Sequence, residues 1–97
     1  MLNYFGLARR AGLLVTGQEL VAKAIKKQNI AIAIIASDAS ENTKKDFKDL
    51  IRGRITIVNQ FSSTEISQAI GEPRKILGIT DLGIARKIKE LLKEVTL

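Results

Sequence analysis

The segment GQELVAKAIKK, residues 17–27, holds the pattern best suited to binding chemistry in this 97-residue sequence. Gly17 stands where a short apolar run ends and a helical pattern begins, and the free N–H groups at a helix start bind anions. Lys23, Lys26 and Lys27 follow on one side of that helix, where ammonium groups neutralise phosphate. The pattern indicates a site for a phosphate-bearing ligand, but a permissive glycine and solvated lysines account for the same residues.

Thr16 and Glu19 strengthen the structural interpretation. They fit the S/T-x-x-E capping box, in which each side chain satisfies a free backbone N–H at the helix start. Glu19 also stands four residues before Lys23, the spacing of a helical ion pair. On local sequence alone, we therefore favour a capped helix start over a binding site.

Catalytic chemistry has little support in the residue inventory. The sequence lacks histidine and cysteine, which removes the commonest general base, metal ligand and thiolate nucleophile. GITDLG, residues 78–83, has two glycines but neither the lysine of a P-loop nor the spacing of a dinucleotide fingerprint. The acidic residues between 38 and 49 are explained as a cap and solvated helix charges. We predict no catalytic residues, no metal site and no cofactor; a carboxylate enzyme stays open as a third alternative.

Charge and composition favour a basic globular domain. Lys and Arg number 16 against 10 Asp and Glu, and the net charge of +6 attracts polyanions such as RNA, DNA or acidic lipid. With 45% hydrophobic and 27% charged residues, the composition predicts one folded domain over residues 1–97. No apolar run approaches the roughly 18 residues that span a membrane, and no secretion signal is recognised. We expect a cytoplasmic protein without membrane contact.

Helical and strand patterns alternate along the chain. Strands are predicted at residues 13–15, 30–36, 55–58 and 74–79, with helices before, between and after them. The second of these strands has no polar residue for a wet face, so we expect burial on both sides. The α-β-α-β-α-β-α-β-α order predicts an α/β fold in which a parallel or mixed sheet lies between helical layers.

Several helix ends carry local signals. Asp38, Ser40 and Asn42 are alternative caps for the third helix, which Gly53 ends. Ser62-x-x-Glu65 is a second capping box at the start of the fourth helix. That helix is predicted to stop at residue 71, and the last helix is marked by apolar residues from position 82 to Val95.

Four strings in fixed order resemble a known family. They are GLARRAGLLVTGQELVAKAIKK, ASDASENTKK, ISQAIGEPRK and ITDLGIA, and they extend over roughly Asn3 to Leu92. Together they resemble the kink-turn-binding superfamily of ribosomal proteins, and more closely its bacterial YlxQ-like branch. The resemblance implies a three-layer α/β/α sandwich around a four-stranded mixed sheet, and RNA binding without catalysis.

The resemblance also implies where RNA binds. The expected face combines the start of the second helix with the loop before the last strand, and Gly17 and Lys23 match the superfamily's glycine and lysine. The candidate RNA-binding residues are Gly17, Gln18, Glu19, Leu20, Lys23, Lys26, Gly71, Glu72, Pro73 and Arg74.

Two positions depart from the superfamily pattern. Kink-turn binders carry an asparagine-glutamate pair where this sequence has Glu19 and Leu20. Leucine has no donor or acceptor and ionised glutamate only accepts, so this pair does not reproduce the base-edge hydrogen bonds of kink-turn binders. Glu72 adds a negative charge to the facing loop. These departures weigh against tight kink-turn specificity.

We accordingly predict a small, basic, non-catalytic RNA-binding protein associated with ribosomal or other structured, kink-turn-like RNA in a ribonucleoprotein. The alternative is a protein-protein interaction module that kept this fold and lost kink-turn specificity. The charge and the basic helix favour RNA, whereas Glu19 and Leu20 favour the alternative.

Overall fold

The computed structural model describes residues 1–96, and the side chains of residues 1–93. Helices and strands alternate in the predicted order. Their bounds are α1 (Leu2–Arg10), β1 (Leu14–Thr16), α2 (Gln18–Lys26), β2 (Ile32–Ile35), α3 (Glu41–Ile51), β3 (Thr56–Val58), α4 (Ser63–Ile70), β4 (Ile76–Ile79) and α5 (Leu82–Thr96).

The four strands form one mixed sheet in the order β1-β4-β2-β3. β4 pairs antiparallel with both β1 and β2, and β2 pairs parallel with β3. Thr16, the last residue of β1, lies opposite Leu77 near the beginning of β4. The start of α2 and the loop before β4 therefore meet at the same edge of the sheet.

The helices form two layers, which confirms the predicted three-layer α/β/α sandwich. α2 packs against α3, β1 and β4, whereas α1 packs against α4 and α5. All four residues of β2 are buried, as are all four of β4. The fully apolar composition of β2 predicted this burial, because a strand between two helical layers has no wet face.

Two glycines let elements approach closely. A Cβ at Gly6 of α1 would lie 2.8 Å from the carbonyl oxygen of Ala69 in α4, and one at Gly78 of β4 would lie 2.5 Å from a side-chain carbon of Ile30. Both distances are shorter than real Cβ contacts. The packing of α1 on α4 thus depends on the absence of a side chain at Gly6, whereas a side chain at Gly78 would displace the Ile30 side chain.

Most of the helix caps and stops predicted from the sequence are confirmed. The Ser40 hydroxyl accepts from the backbone N–H of Thr43 at 3.1 Å and so caps α3. Ser62 and Glu65 form the predicted capping box of α4, with bonds of 3.2 and 3.0 Å. Gly71 ends α4 with φ of 81°.

Two predicted ends are corrected. Asp38 does not cap α3, because its carboxylate binds Ser63 at the start of α4 instead. The third helix ends at Ile51, and the left-handed conformation already begins at Arg52, one residue before Gly53.

The strand bounds differ from the prediction by one to two residues. β1 begins and ends one residue later than predicted, and β2 is shorter at both ends. β4 begins at Ile76 and not at Arg74. The reason is that the Ser67 hydroxyl of α4 binds both the N–H of Arg74, at 3.0 Å, and its carbonyl oxygen, at 3.3 Å.

α5 packs through part of its predicted apolar face. Ala85 and Ile88 are buried, but Leu82 is 72% exposed at the helix start. The predicted core position Val95 lies outside the residues whose side chains the structure describes. Within residues 1–96, no helix is long and apolar enough to cross a membrane.

Candidate functional site

Gly17 is the N-cap of α2 and has φ 94° and ψ 150°, a conformation almost confined to glycine. Its N–H donates to the carbonyl oxygen of Ile76 at 3.0 Å, and its own carbonyl accepts from Val21 at 3.0 Å. A Cβ added at Gly17 would meet no described atom within 4 Å. The sheet therefore fixes this backbone in a glycine conformation, and the space in front of it is open.

The predicted capping box at Thr16 and Glu19 is wrong. No side chain caps the start of α2. Thr16 belongs to β1, and its hydroxyl donates to Oε1 of Glu72 at 3.2 Å and accepts from Nε of Arg74 at 3.4 Å. Pairing with β4 holds Thr16 in the strand, where its hydroxyl reaches the loop before β4.

Neither Glu19 nor Lys23 has a side-chain partner among the described residues that would give it a structural role. Both side chains are exposed, and no ion pair joins them to each other or to another described residue. Leu20 beside them is 59% exposed. The start of α2 thus presents a carboxylate, an ammonium group and an apolar side chain to solvent.

The loop before β4, residues 71–75, faces the start of α2. A cleft of about 350 Å³ is lined by Gly17 and Gln18 on one side and by Pro73 and Arg74 on the other. Nη1 of Arg74 donates to the carbonyl oxygen of Pro73 at 2.7 Å, and Ser67 holds the Arg74 backbone from α4. The structure thus brings together the two segments that the sequence singled out.

The candidate residues are not all equally near the cleft. Gly71 and Glu72 belong to the facing loop, and Lys23 projects from the second turn of α2. Lys26 ends α2, so it lies about 12 Å along the helix axis from Gln18, at 1.5 Å per residue. Lys26 is exposed but stands apart from the cleft.

Glu72 is held by three groups. Its Oε2 lies 2.6 Å from Nη2 of Arg9, and its Oε1 lies 3.4 Å from Nε of Arg74 and accepts from Thr16. Desolvation alone would raise the pKa of Glu72, but the hydrogen bond and charge of Arg9 and the charge of Arg74 outweigh it. The pKa of Glu72 is lowered, so the carboxylate is ionised at neutral pH.

Two members of this site, Arg9 and Thr16, are not among the site residues predicted from the sequence. Arg9 is the penultimate residue of α1 and is 63 residues from Glu72 in the chain. The sequence predicts a helix cap at Thr16, because the residue three positions on is a glutamate. No local spacing links either residue to the loop, because the Thr16 contact depends on the pairing of β1 with β4 and the Arg9 contact depends on the packing of α1 against α4.

The fold and the site define a class of protein: an α/β/α sandwich with a mixed β1-β4-β2-β3 sheet and a basic, glycine-initiated helix that faces a loop. The chain belongs to the ribosomal protein L7Ae/L30e/S12e/Gadd45 family, whose sequence model matches residues 1–89.

Within that family the chain is YlxQ-like. It is 47% identical over 93 residues to the RNA-binding protein YlxQ of Enterococcus faecium, covering 95% of this chain and 90% of that protein. It is 34% identical over 89 residues to the RNA-binding protein YlxQ of Bacillus subtilis strain 168, covering 90% and 89%. These similarities confirm the branch that the sequence strings indicated.

Two solved structures share the fold. A Bacillus halodurans protein of unknown function superposes with a TM-score of 0.89 at 34% identity, with 95% of each chain covered. The Giardia lamblia 15.5 kD RNA-binding protein superposes with a TM-score of 0.81 at 16% identity, with 98% of this chain and 83% of that one covered. The second similarity bears on the fold alone.

Proposed function

We propose that this chain is a non-catalytic RNA-binding protein whose interface is the cleft between the start of α2 and the loop at residues 71–75. The observation that carries the proposal is the meeting of Gly17 and Gln18 with Pro73 and Arg74 across one open cleft. Family membership and the two YlxQ relatives, which are named RNA-binding proteins, support it.

Each group of residues has a distinct part in this proposal. Gly17 lets the RNA backbone approach the helix start, because no side chain blocks the space in front of it. Lys23 and Lys26 neutralise phosphates along the outer side of α2, and Arg74 does so from the facing loop. Gln18 offers an exposed amide to hydrogen-bond sugars, phosphates or base edges.

We further propose that the ligand is structured RNA, ribosomal or of kink-turn type, and that its shape and phosphates dominate recognition. Glu19 accepts hydrogen bonds but does not donate them when ionised, and Leu20 does neither. Both are exposed at the start of α2 with room to contact a base or sugar. Base-edge readout by this pair is therefore poor, and affinity rests on the cationic groups.

The proposal has three further parts, which concern the extent of the binding unit, its location in the cell and its partner. Residues 1–97 act as one RNA-binding unit, in the cytoplasm, and in contact with a ribosome or another ribonucleoprotein. The relatives named above give no support to the alternative of a protein-interaction module.

Crosslinking in cells tests the proposal. The chain is compared with a face variant, Lys23→Glu with Arg74→Glu, and with a control, Lys87→Glu with Lys89→Glu, which makes the same charge change on α5. We expect structured RNA on the original chain and the control, and its loss from the face variant. Absence of RNA from the original chain would contradict the function, and equal loss from both variants would contradict the site.

A further inference from the structure

Three elements of the fold converge on one carboxylate. Arg9 comes from the last turn of α1, Thr16 from the end of β1, and Arg74 from the loop before β4. Their donors reach Glu72 at 2.6, 3.2 and 3.4 Å, respectively. A hydroxyl and two guanidinium groups from distant parts of the chain thus form a cationic pocket for one anion.

The donors of this pocket suit a phosphate as well as a carboxylate. Guanidinium groups bind both anions with charge-assisted hydrogen bonds, and a threonine hydroxyl donates to either. The side chains of Arg9 and Arg74 are 41% and 40% exposed, whereas that of Glu72 is 23% exposed. An incoming anion can therefore reach both arginines from solvent while Glu72 fills the space between them.

We propose that Arg9, Thr16 and Arg74 form a phosphodiester-binding site and that Glu72 occupies it in the RNA-free protein. A backbone phosphate of bound RNA replaces the Glu72 carboxylate, and the loop at residues 71–75 releases that side chain to solvent. This inference rests on the proposed function and extends the interface to α1.

Replacement of the Glu72 carboxylate by an RNA phosphate predicts a result that a purely structural ion pair does not predict. If Glu72 competes with phosphate, removal of its charge strengthens RNA binding. If Glu72 only anchors the loop, removal of its charge leaves binding unchanged or weakens it. Glu72→Gln separates these cases, because glutamine keeps the shape and can still accept from Thr16.

The test measures the affinity of four single variants for one structured ribosomal RNA fragment at low salt. Glu72→Gln is matched with Glu90→Gln, an exposed position of α5, and Arg9→Gln is matched with its neighbour Arg10→Gln. We expect about three- to tenfold tighter binding for Glu72→Gln and less than a twofold change for Glu90→Gln. Arg9→Gln should weaken binding several-fold more than Arg10→Gln, and circular dichroism checks folding.

The double variant Arg9→Gln with Glu72→Gln gives the decisive comparison. Exchange predicts that loss of Arg9 still weakens binding when Glu72 is absent, because Arg9 then contacts only phosphate. No further loss in that background, or no gain from Glu72→Gln alone, would overturn the exchange while leaving RNA binding intact.

Inorganic phosphate separates failure of the exchange from failure of the proposed function. If no variant binds RNA, the proposed function fails, and phosphate is titrated against Glu72→Gln while the backbone amides of Thr16 and Gly17 are followed by NMR. Shifts that disappear in the double variant would support the anion site. Absence of shifts would overturn it.

Discussion

The backbone N–H of Gly17 donates to the carbonyl oxygen of Ile76 at 3.0 Å, which ties the start of α2 to the start of β4. This bond continues the antiparallel pairing of β1 with β4 by one residue. The helix start and the loop before β4 are therefore held close together on the two sides of the cleft.

Gly17→Ala should reduce both stability and RNA affinity. A side chain at φ 94° and ψ 150° costs about 1–3 kcal/mol of backbone strain, although the added methyl meets no described atom. Urea unfolding measures this cost, with Gln18→Ala as an exposed control expected to change stability by less than about 0.5 kcal/mol. If RNA approaches this backbone, the folded variant should also bind at least several-fold more weakly; unchanged affinity would remove Gly17 from the interface.

Position, and not net charge alone, should decide which lysines matter. Lys23→Glu and Lys89→Glu change the net charge equally, and both positions are exposed, but only Lys23 belongs to α2, whose first residue lines the cleft. We expect Lys23→Glu to weaken RNA binding about tenfold or more, since it replaces a phosphate contact with a repulsive charge, and Lys89→Glu to weaken it less than threefold. Fluorescence anisotropy at fixed salt measures both. Equal losses would show that only the long-range field attracts RNA.

The double substitution of Glu19→Asn with Leu20→Glu should raise specificity for kink-turn RNA. These residues supply the donors and acceptors that the present pair lacks, and each good bidentate contact contributes roughly 1–3 kcal/mol of discrimination. Preference for a kink-turn over a matched duplex should therefore rise at least tenfold in competition binding. Stability should be nearly unchanged, because Glu19 caps nothing and Leu20 is mostly exposed. A folded variant without gained preference would mean that the facing loop blocks the kinked RNA.

Asp38 should contribute its full stabilisation above its ordinary pKa of 3.8 and lose it progressively as the pH falls below that value. The Ser63 hydroxyl donates to its carboxylate at 2.6 Å and the Ser63 N–H at 2.8 Å, and these bonds lower the pKa of Asp38 below its ordinary value of 3.8. A lowered pKa in the folded state means that the stabilisation is present at neutral pH and is lost as the pH falls through that pKa.

Asp38→Asn should therefore lower the melting temperature at pH 7 and flatten its decline in acid. Asp46→Asn, which removes a carboxylate from an exposed position of α3, is the control. Identical pH profiles for the two variants would show that the contact between Asp38 and Ser63 does not stabilise the start of α4.

Signals confined to a few neighbouring residues were predictable from the sequence. The capping box of Ser62 and Glu65 forms because both partners lie within one turn at the start of α4, where no other described group competes for their hydrogen bonds. The same spacing misled at Thr16, because pairing of β1 with β4 gave that hydroxyl a partner 56 residues away. The fully apolar run at residues 30–36 predicted the strand β2. Such a pattern carries no information on which strands pair in the sheet.

The candidate site was predictable in its segments and not in its internal contacts. The family resemblance identified the start of α2 and the loop with Arg74, and the structure brings them together across one cleft. Arg9 was not predicted, because its contact with Glu72 depends on how α1 packs against α4. That packing depends in turn on the close approach at Gly6, which sequence spacing does not reveal.

The central claim is that the cationic residues around the cleft bind RNA through its phosphates, and the salt dependence of affinity tests it most directly. The dissociation constant of the chain for a structured ribosomal RNA fragment is measured over a range of salt concentrations. If three or four phosphates are neutralised, the logarithm of affinity should fall with the logarithm of salt concentration at a slope of roughly −2 to −4. Affinity that does not depend on salt, or no binding at low salt, would contradict the claim.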